Sequence, residues 1–187
     1  MKNSICLIFI FFVLSLNFTF SLEFNIEKGR ELYSKASLNE NNLNIAKNYF
    51  EKLKSINKNT NLNPIINIYL GSLTTINAKF EFFPHKKYEC ALNGLEIMEK
   101  QINTTNSIEA MYIYAATCNQ LPFFFNKQET SKYYFGKILN KISENDMKEN
   151  PKMIIQLFDY VKNKTKYNKD FSQKIDLLKK NYLNNIE

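Results

Sequence analysis

The sequence predicts an all-α protein in which about four antiparallel helical hairpins stack as a short α-solenoid. Two observations predict this fold class. Of the 187 residues only four are Gly and four are Pro, too few for an all-β sandwich, whose turn signals recur about every 8–12 residues. Helix-start signals recur at intervals of 43 and 44 residues, and repeats of that length are typical of helical arrays.

Composition excludes several other classes of protein. Hydrophobic residues make up 44% of the chain, with 16 Phe and 11 Tyr, which is enough apolar material for a core and excludes low-complexity disorder. Three Cys residues are too few, and odd in number, for a disulfide framework. We therefore expect one compact domain after the N-terminal segment.

Three short motifs predict where helices begin. Asn63-Pro64 and Asn150-Pro151 each precede an apolar-periodic run. Asn is a favourable N-cap residue, and Pro suits the first helical position. Asn106 is followed three residues later by Glu109, which is the spacing of a capping box. The three Asn residues set the repeat interval.

The second helix of each repeat is predicted to carry a small residue followed by two large apolar residues, four and seven positions later. These offsets share one face of a helix, so the small residue admits a neighbouring helix and the large ones fill the groove beside it. Gly71 is expected to mark a close contact in a first helix, because Gly inside a helix costs about 1 kcal/mol relative to Ala. The three sets are Ala46, Phe50 and Leu53; Ala91, Leu95 and Met98; and Ser131, Phe135 and Ile138.

Four hairpins follow from these signals. The last helix is expected to cap the array, with an apolar stripe toward the core and a Lys-rich face toward solvent. The stripe is Phe171, Ile175, Leu178 and Tyr182, and the opposite face holds Lys169, Lys174, Lys179 and Lys180. The predicted helix pairs are 24–37 with 42–57, 64–80 with 87–101, 107–119 with 127–142, and 151–163 with 168–184.

Residues 1–21 have the features of a Sec-type signal peptide. Lys2 supplies a positive start, an apolar run extends from Ile5 to Phe20, and small residues occupy the −3 and −1 positions of a cleavage site before Leu22. The run is slightly shorter than the about 20 residues of a membrane-spanning helix; an uncleaved N-terminal anchor stays open as the alternative. We expect an exported protein, periplasmic or secreted, with its repeat domain at 22–187.

The pair Leu70-Gly71 and the spacing of small and large residues in the second helices resemble the tetratricopeptide repeat (TPR). The form is degenerate, with units longer than the usual ~34 residues. Residues 66–139 are similar to a group of exported bacterial TPR-like proteins of unassigned activity. That resemblance implies a fold and a compartment and implies no reaction. The residues that carry it are Tyr69 to Leu73, Ala78-Lys79, the aromatic-Pro turn, Lys87, Gly94-Leu95 and Asn119 to Phe124.

Two proline turns, at Pro84 and Pro122, are crowded with aromatic and basic residues. In a stacked array equivalent turns lie side by side, so the two clusters are expected to meet on one edge. Two interpretations stay open: a docking edge with aromatic anchors and a Lys rim, or rings that fold under and plug the ends of the hairpins. The candidate edge contains Phe82, Phe83, His85, Lys86 and Lys87 in the first turn, and Phe123, Phe124, Phe125 and Lys127 in the second.

The sequence contains no catalytic, metal or cofactor motif. His85 is the only His, and its neighbours Glu81 and Glu89 lie on either side of a Pro turn, so we expect it to be a turn residue. HExxH, CxxC, GxGxxG, P-loop and GxSxG patterns are missing from the sequence. We therefore expect a protein that is not an enzyme and that holds no cofactor and no metal.

Cys90 and Cys118 are equally distant from the connection between their predicted helices. They are therefore expected at the same height of an antiparallel pair, where two Cα atoms can come within disulfide distance. In an oxidising compartment such a pair can form a disulfide. The alternative is two small buried thiols that face one groove.

The formal net charge of +7 is spread along the chain, with its densest run at Lys162, Lys164, Lys166 and Lys169. Nucleic-acid binding usually needs a basic stripe containing Arg, and Arg30 is the only Arg. We expect no nucleic-acid partner, and contact with a membrane only through the N-terminal segment if it is uncleaved.

The first functional expectation is a binding module that holds a protein or peptide partner in the cell envelope. The alternative is an accessory subunit of a transporter that encloses a small hydrophobic ligand among its Phe and Tyr side chains. An enclosed aromatic cavity larger than about 300 Å³ would favour the ligand. An open groove beside exposed rings of Phe82, Phe83, Phe123 and Phe124 would favour the partner, and burial of all four would exclude the docking edge.

Overall fold

The computed structural model describes residues 25–143, 146, 150–165 and 169–184. Within these ranges the chain is helical and contains no strand, which confirms the all-α class. A 3₁₀ turn at Phe123–Phe125 lies between the fifth and sixth helices. The helices are α1 (Ile26–Lys35), α2 (Glu40–Ile56), α3 (Asn63–Asn77), α4 (Pro84–Ile102), α5 (Ile108–Gln120), α6 (Gln128–Lys141), α7 (Pro151–Lys164) and α8 (Lys169–Asn184).

Several predictions concern residues outside this description. The signal segment 1–21 and its cleavage site before Leu22 lie outside the described residues, as does Lys166. The side chains of Lys169, Phe171 and Tyr182 lie outside it too. Of the described helices, none combines the length and the apolar character needed to cross a membrane.

The helices pack in pairs along the chain. α1 packs on α2, α3 on α4, α5 on α6, and α7 on α8, so four helical hairpins are present in the described ranges. Neighbouring hairpins are joined by α2 against α3, by α3 and α4 against α5, and by α5 against α7. First helices contact first helices from the second hairpin to the fourth, whereas the first hairpin meets the second mainly through α2 on α3. Each hairpin touches the one that precedes it in sequence.

The predicted helix starts are correct at α7 and wrong at α3. At α7 the Asn150 side chain accepts a hydrogen bond from the Met153 backbone N–H at 3.2 Å, and Pro151 is the first helical residue. At α3 the helix already includes Asn63, and the cap position makes no side-chain hydrogen bond. The Asn63 side chain instead accepts a hydrogen bond from the Asn57 side-chain amide at 3.0 Å, so it bonds to the preceding turn and does not cap the helix.

The capping box predicted before α5 is also wrong. Ser107, not Asn106, occupies the cap position, and its hydroxyl accepts a hydrogen bond from the Ala110 backbone N–H at 3.3 Å. Glu109 does not bond back to the cap; its carboxylate points into the protein, where it meets Arg30. A long-range ion pair has replaced the local bond that the spacing suggests.

The small-and-large pattern of the second helices is confirmed by burial. Each small residue is at most 3% exposed, and each large one at most 6%. Ser131 also makes a hydrogen bond that an Ala at this position could not make. Its hydroxyl donates to the Ala115 backbone carbonyl of the neighbouring helix at 2.8 Å. The buried set is Ala46, Phe50, Leu53, Ala91, Leu95, Met98, Ser131, Phe135 and Ile138.

Gly71 marks a close helix crossing, as predicted. A Cβ added at Gly71 would lie 2.8 Å from the Gly94 carbonyl oxygen, and one added at Gly94 would lie 2.4 Å from the Gly71 oxygen and 2.7 Å from the Thr75 backbone nitrogen. The backbones of α3 and α4 thus meet at two opposed glycines. No side chain larger than hydrogen fits there without moving a helix.

Pro84 begins a helix instead of bending a turn. It is the first residue of α4, three positions before the predicted start of that helix at residue 87. Proline suits that position because its missing N–H would have no partner there. Pro122, by contrast, lies in the connection as predicted and directly precedes the 3₁₀ turn.

The described part of α8 agrees with its capping role. Ile175 is 1% exposed and Leu178 packs partly buried against the core. On the opposite side, Lys174 donates to the Asn140 side chain at 2.8 Å and Lys179 pairs with Asp159 at 2.9 Å. The lysines of this helix therefore tie it to α6 and α7 at the surface.

Gly94→Ala should destabilise the protein by about 1–3 kcal/mol, because the new methyl group has to push apart two backbones. Gly136→Ala is the matched control: a Cβ there meets nothing within 4 Å, and removing a helical glycine should stabilise by about 0.5–1 kcal/mol. Urea unfolding monitored by helical circular dichroism measures both. Equal midpoints for the two variants would contradict the close crossing.

Candidate functional site

Four phenylalanines of the two proline turns are exposed. Phe82 and Phe123 are 85% and 80% exposed, and Phe83 and Phe124 are 55% and 57% exposed. These four rings do not plug the ends of the hairpins, so that interpretation does not describe them. We call these residues the aromatic edge.

The ring contacts join the two turns at one point. Tyr88, four residues after Pro84 in α4, stacks on Phe125 with centroids 5.4 Å apart, and Phe125 in turn contacts Phe124 at 4.8 Å. Phe82 packs on Phe83 at 5.2 Å within its own turn. The two turn segments are therefore connected by the stacking of Tyr88 on Phe125.

A cavity of about 700 Å³ opens beside the aromatic edge. We call it the turn cavity. Its wall is largely apolar: Ile76 of α3, Tyr88 of α4, Leu121 after α5, and Phe124 and Phe125 of the 3₁₀ turn all line it. Because α1, α3, α4 and α5 all contribute residues, this site depends on the packing of three hairpins.

Hydroxyl groups form the polar side of the turn cavity. The Thr117 hydroxyl donates to the Ile113 carbonyl at 2.8 Å. Since that proton is committed, the 2.8 Å bond between Ser72 and Thr117 must be donated by Ser72, and the 2.7 Å bond between Tyr33 and Ser72 must be donated by Tyr33. Burial raises the pKa of Tyr33, which keeps its phenol protonated.

Two of the three lysines predicted to form the rim are paired with acidic side chains. Lys86 pairs with Glu89 at 2.8 Å, and Lys127 pairs with Glu99 at 2.6 Å. Lys87 lines the turn cavity and makes no ion pair within the described chain. The charges of two of the three predicted rim lysines are thus neutralised by acidic neighbours, which sequence spacing alone did not reveal.

A second, more polar groove of about 560 Å³ runs along α1, α3, α5 and α7. We call it the inner groove. Its described lining mixes acidic residues such as Glu27 and Asp159 with basic ones such as Lys152 and Lys164. It has no single sign of charge to select a partner.

A buried ion pair lies at the side of the inner groove. Glu109 of α5 is 5% exposed and accepts bonds from Arg30 Nε and Nη2 of α1, both at 2.5 Å. The Tyr69 hydroxyl of α3 donates to the same carboxylate at 2.6 Å. One carboxylate therefore joins the first helices of three successive hairpins.

The pKa values of this cluster follow from its burial and its charges. Burial opposes ionisation of Arg30, but the hydrogen bonds and charge of Glu109 outweigh it and raise the Arg30 pKa. Burial, helped by the Glu109 charge, raises the pKa of Tyr69 well above its ordinary value. The cluster is thus a fixed guanidinium, carboxylate and neutral phenol, with each charge already compensated.

His85 is exposed and stacks on Phe83 with centroids 5.6 Å apart. Among the described residues, no group of three or more His, Cys, Asp and Glu side chains gathers to hold a metal ion.

Cys90 and Cys118 are free thiols in this structure. Cys90 Sγ lies 3.4 Å from the Asn77 amide nitrogen and 3.9 Å from a Glu81 carboxylate oxygen. Cys118 is fully buried, and burial raises its pKa to about 12. A thiol held so far from ionisation is a packing residue, not a nucleophile.

Comparisons with protein-family models, with curated proteins and with solved structures give no match for this chain.

Glu109→Gln should cost about 2–3 kcal/mol of unfolding free energy, because it removes the buried counter-charge of Arg30 and leaves only the exposed Glu27 beside the guanidinium. Glu96→Gln is the matched control: Glu96 pairs with Lys100 at 2.6 Å, but both side chains are about two-thirds exposed, so the loss should stay below about 0.5 kcal/mol. Urea unfolding at neutral pH measures the difference. Similar losses in both variants would contradict a structural role for the buried pair.

Proposed function

We propose that the chain is an exported, non-enzymatic helical-repeat module of TPR-like type that binds a protein or peptide partner in the cell envelope. The observation that carries the proposal is the aromatic edge: four phenylalanines, 55–85% exposed, stand beside an open cavity with an apolar wall. Contiguous exposed apolar groups of this kind are typical of interaction sites.

The energetics of the rings favour a large partner surface. Covering an exposed Phe side chain with a partner stabilises the complex by about 1.5–3 kcal/mol. Phe82 and Phe123 are the most exposed of the four and do not line the turn cavity, so a ligand enclosed in the cavity would leave them in water. A partner chain that lies across the edge would cover them, and it would reach the cavity through Phe124.

The TPR-like assignment is supported by repeated packing features. The second helices of the first three hairpins each bury a small residue, and first helices touch first helices from the second hairpin to the fourth. Stacked hairpins of this kind build an extended binding surface from short units.

A role in nucleic-acid binding or catalysis is not part of the proposal. Arg30, the only Arg, has its charge taken up by Glu109 and Glu27. His85 stacks on Phe83 in the edge and is a contact residue in this proposal.

A small hydrophobic ligand is the second candidate function, as the accessory subunit of a transporter. The volume of the turn cavity favours it, since about 700 Å³ lies within the about 300–1,000 Å³ of typical small-molecule sites. The exposed outer rings of Phe82 and Phe123 favour the partner chain instead.

Export predicts a mature protein that begins at Leu22. A leader with a positive start, an apolar run and small residues before the cleavage site is removed on secretion. N-terminal sequencing of protein recovered from the cell envelope or medium measures this directly. Recovery of an intact N-terminus from the membrane fraction would support the uncleaved anchor, and recovery from the cytoplasm would contradict export.

Replacing the inner pair of edge rings, Phe83→Ala with Phe124→Ala, should reduce partner recovery about tenfold or more, because hot-spot aromatics carry most of an interface's binding energy. The assay is capture from envelope extract on immobilised mature protein. The control pair is Leu38→Ala with Tyr133→Ala, which are 69% and 63% exposed and lie outside the edge and the cavity. Unchanged recovery with the first pair would remove the aromatic edge from the binding site.

A further inference from the structure

The turn cavity carries positive charge and no negative charge in its described lining. Lys79 and Lys87 are its charged residues, and Glu and Asp do not contribute. The inner groove differs, because Glu27, Glu31 and Asp159 line it together with its cations. A partner group that enters the turn cavity therefore meets two ammonium groups and no carboxylate in its described wall.

Neither cavity lysine is compensated by a carboxylate in the described part of the chain. Lys79 Nζ donates to the Ser37 backbone carbonyl at 2.6 Å and lies 5.7 Å from the Phe80 ring centroid. Those contacts orient its ammonium group without neutralising it. Lys86 and Lys127, which do not line the cavity, hold the ion pairs. Among the lysines of the two turns, the uncompensated charge thus lies at the cavity, where an anion would be attracted.

The hydroxyl chain along the floor of the cavity offers acceptors, because its protons are already used; the donors in the described lining include the lysines and the side chains of Ser37 and Gln120. In the chain from Tyr33 through Ser72 to Thr117, every hydroxyl proton is used in a bond inside the protein. Thr75 likewise donates its proton to the Gly71 carbonyl at 3.2 Å. What remains are oxygen lone pairs of Tyr33 and Thr75, and these accept a hydrogen bond from an occupant.

The lone pairs of these hydroxyl groups distinguish two kinds of anionic apolar occupant. A fatty acid brings a carboxylate and a tail but no N–H group, so the floor oxygens would face methylene groups and lose their water without a replacement bond. A peptide brings a carboxylate, an apolar side chain and backbone N–H donors. The arrangement of lysines, rings and acceptors suits the peptide.

We propose that the turn cavity binds a short acidic peptide segment of the partner, in which a large apolar residue stands next to Asp or Glu. The apolar side chain packs among Tyr88, Phe124 and Phe125, the carboxylate pairs with Lys79 or Lys87, and backbone N–H groups bond to the hydroxyl floor. This inference rests on the proposed function and adds the chemistry of the segment that is bound.

A random-peptide display library selected on the immobilised mature protein tests the inference. The peptides recovered should be enriched in Asp or Glu beside Phe, Leu, Tyr or Met. Their binding, measured by fluorescence anisotropy, should weaken about tenfold or more in the Lys79→Gln/Lys87→Gln variant, and to a similar extent when the peptide acid is changed to its amide. Combining the two changes should add little, because both remove the same ion pair.

The control variant is Lys54→Gln/Lys180→Gln, two exposed lysines that do not line the cavity. It should bind within about twofold of the unchanged protein. Selection of apolar peptides without acidic residues, or binding indifferent to Lys79 and Lys87, would overturn the inference and leave the proposed function standing. If no peptide is enriched while labelled dodecanoate binds in the cavity, both the inference and the peptide-binding function are overturned.

Discussion

The contact between α3 and α4 at Gly71 and Gly94 is the constraint on which the rest of the structure depends. Backbone atoms of the two helices approach so closely there that a single methyl group has no room. The turn cavity begins about one helical turn away, with Thr75 on α3 and Ala91 on α4 in its lining. Gly71 and Gly94 therefore set the distance between the α3 wall and the α4 wall of the cavity. They also set the position of Tyr88 opposite Phe125.

The Arg30–Glu109 pair places the first and third hairpins relative to each other. Burying both charges is costly, and their attraction offsets that cost only when the geometry is good and further hydrogen bonds are made. Here the guanidinium contacts the carboxylate through two nitrogens, and Tyr69 supplies a third bond from the hairpin between them. Such a pair adds little net stability, but it favours one arrangement of the hairpins. A shifted register would leave a buried charge without a partner.

Charge compensation also decides where this protein can attract a partner. Most described acidic residues near the turns hold a lysine or a polar group of their own chain, as Glu89 and Glu99 do. The cavity lysines are left with their charge and lie beside exposed rings. Apolar anchors next to uncompensated cations favour a partner that is both hydrophobic and acidic. A surface with positive charge alone would bind such a partner no better than any other anion.

Helical periodicity and the placement of small residues could be predicted from the sequence, because they are local: burial of Ala46, Ala91 and Ser131, and the close contact at Gly71, follow from spacing along one helix. The exposure of Phe82 and Phe123, the neutralisation of Lys86 and Lys127, and the hydroxyl chain of the cavity could not. Glu109 shows why. Its spacing from Asn106 suggests a local capping box, yet its partner Arg30 lies 79 residues away in sequence. A side chain with several available partners bonds to the one that tertiary packing brings within reach, and no local pattern encodes that choice.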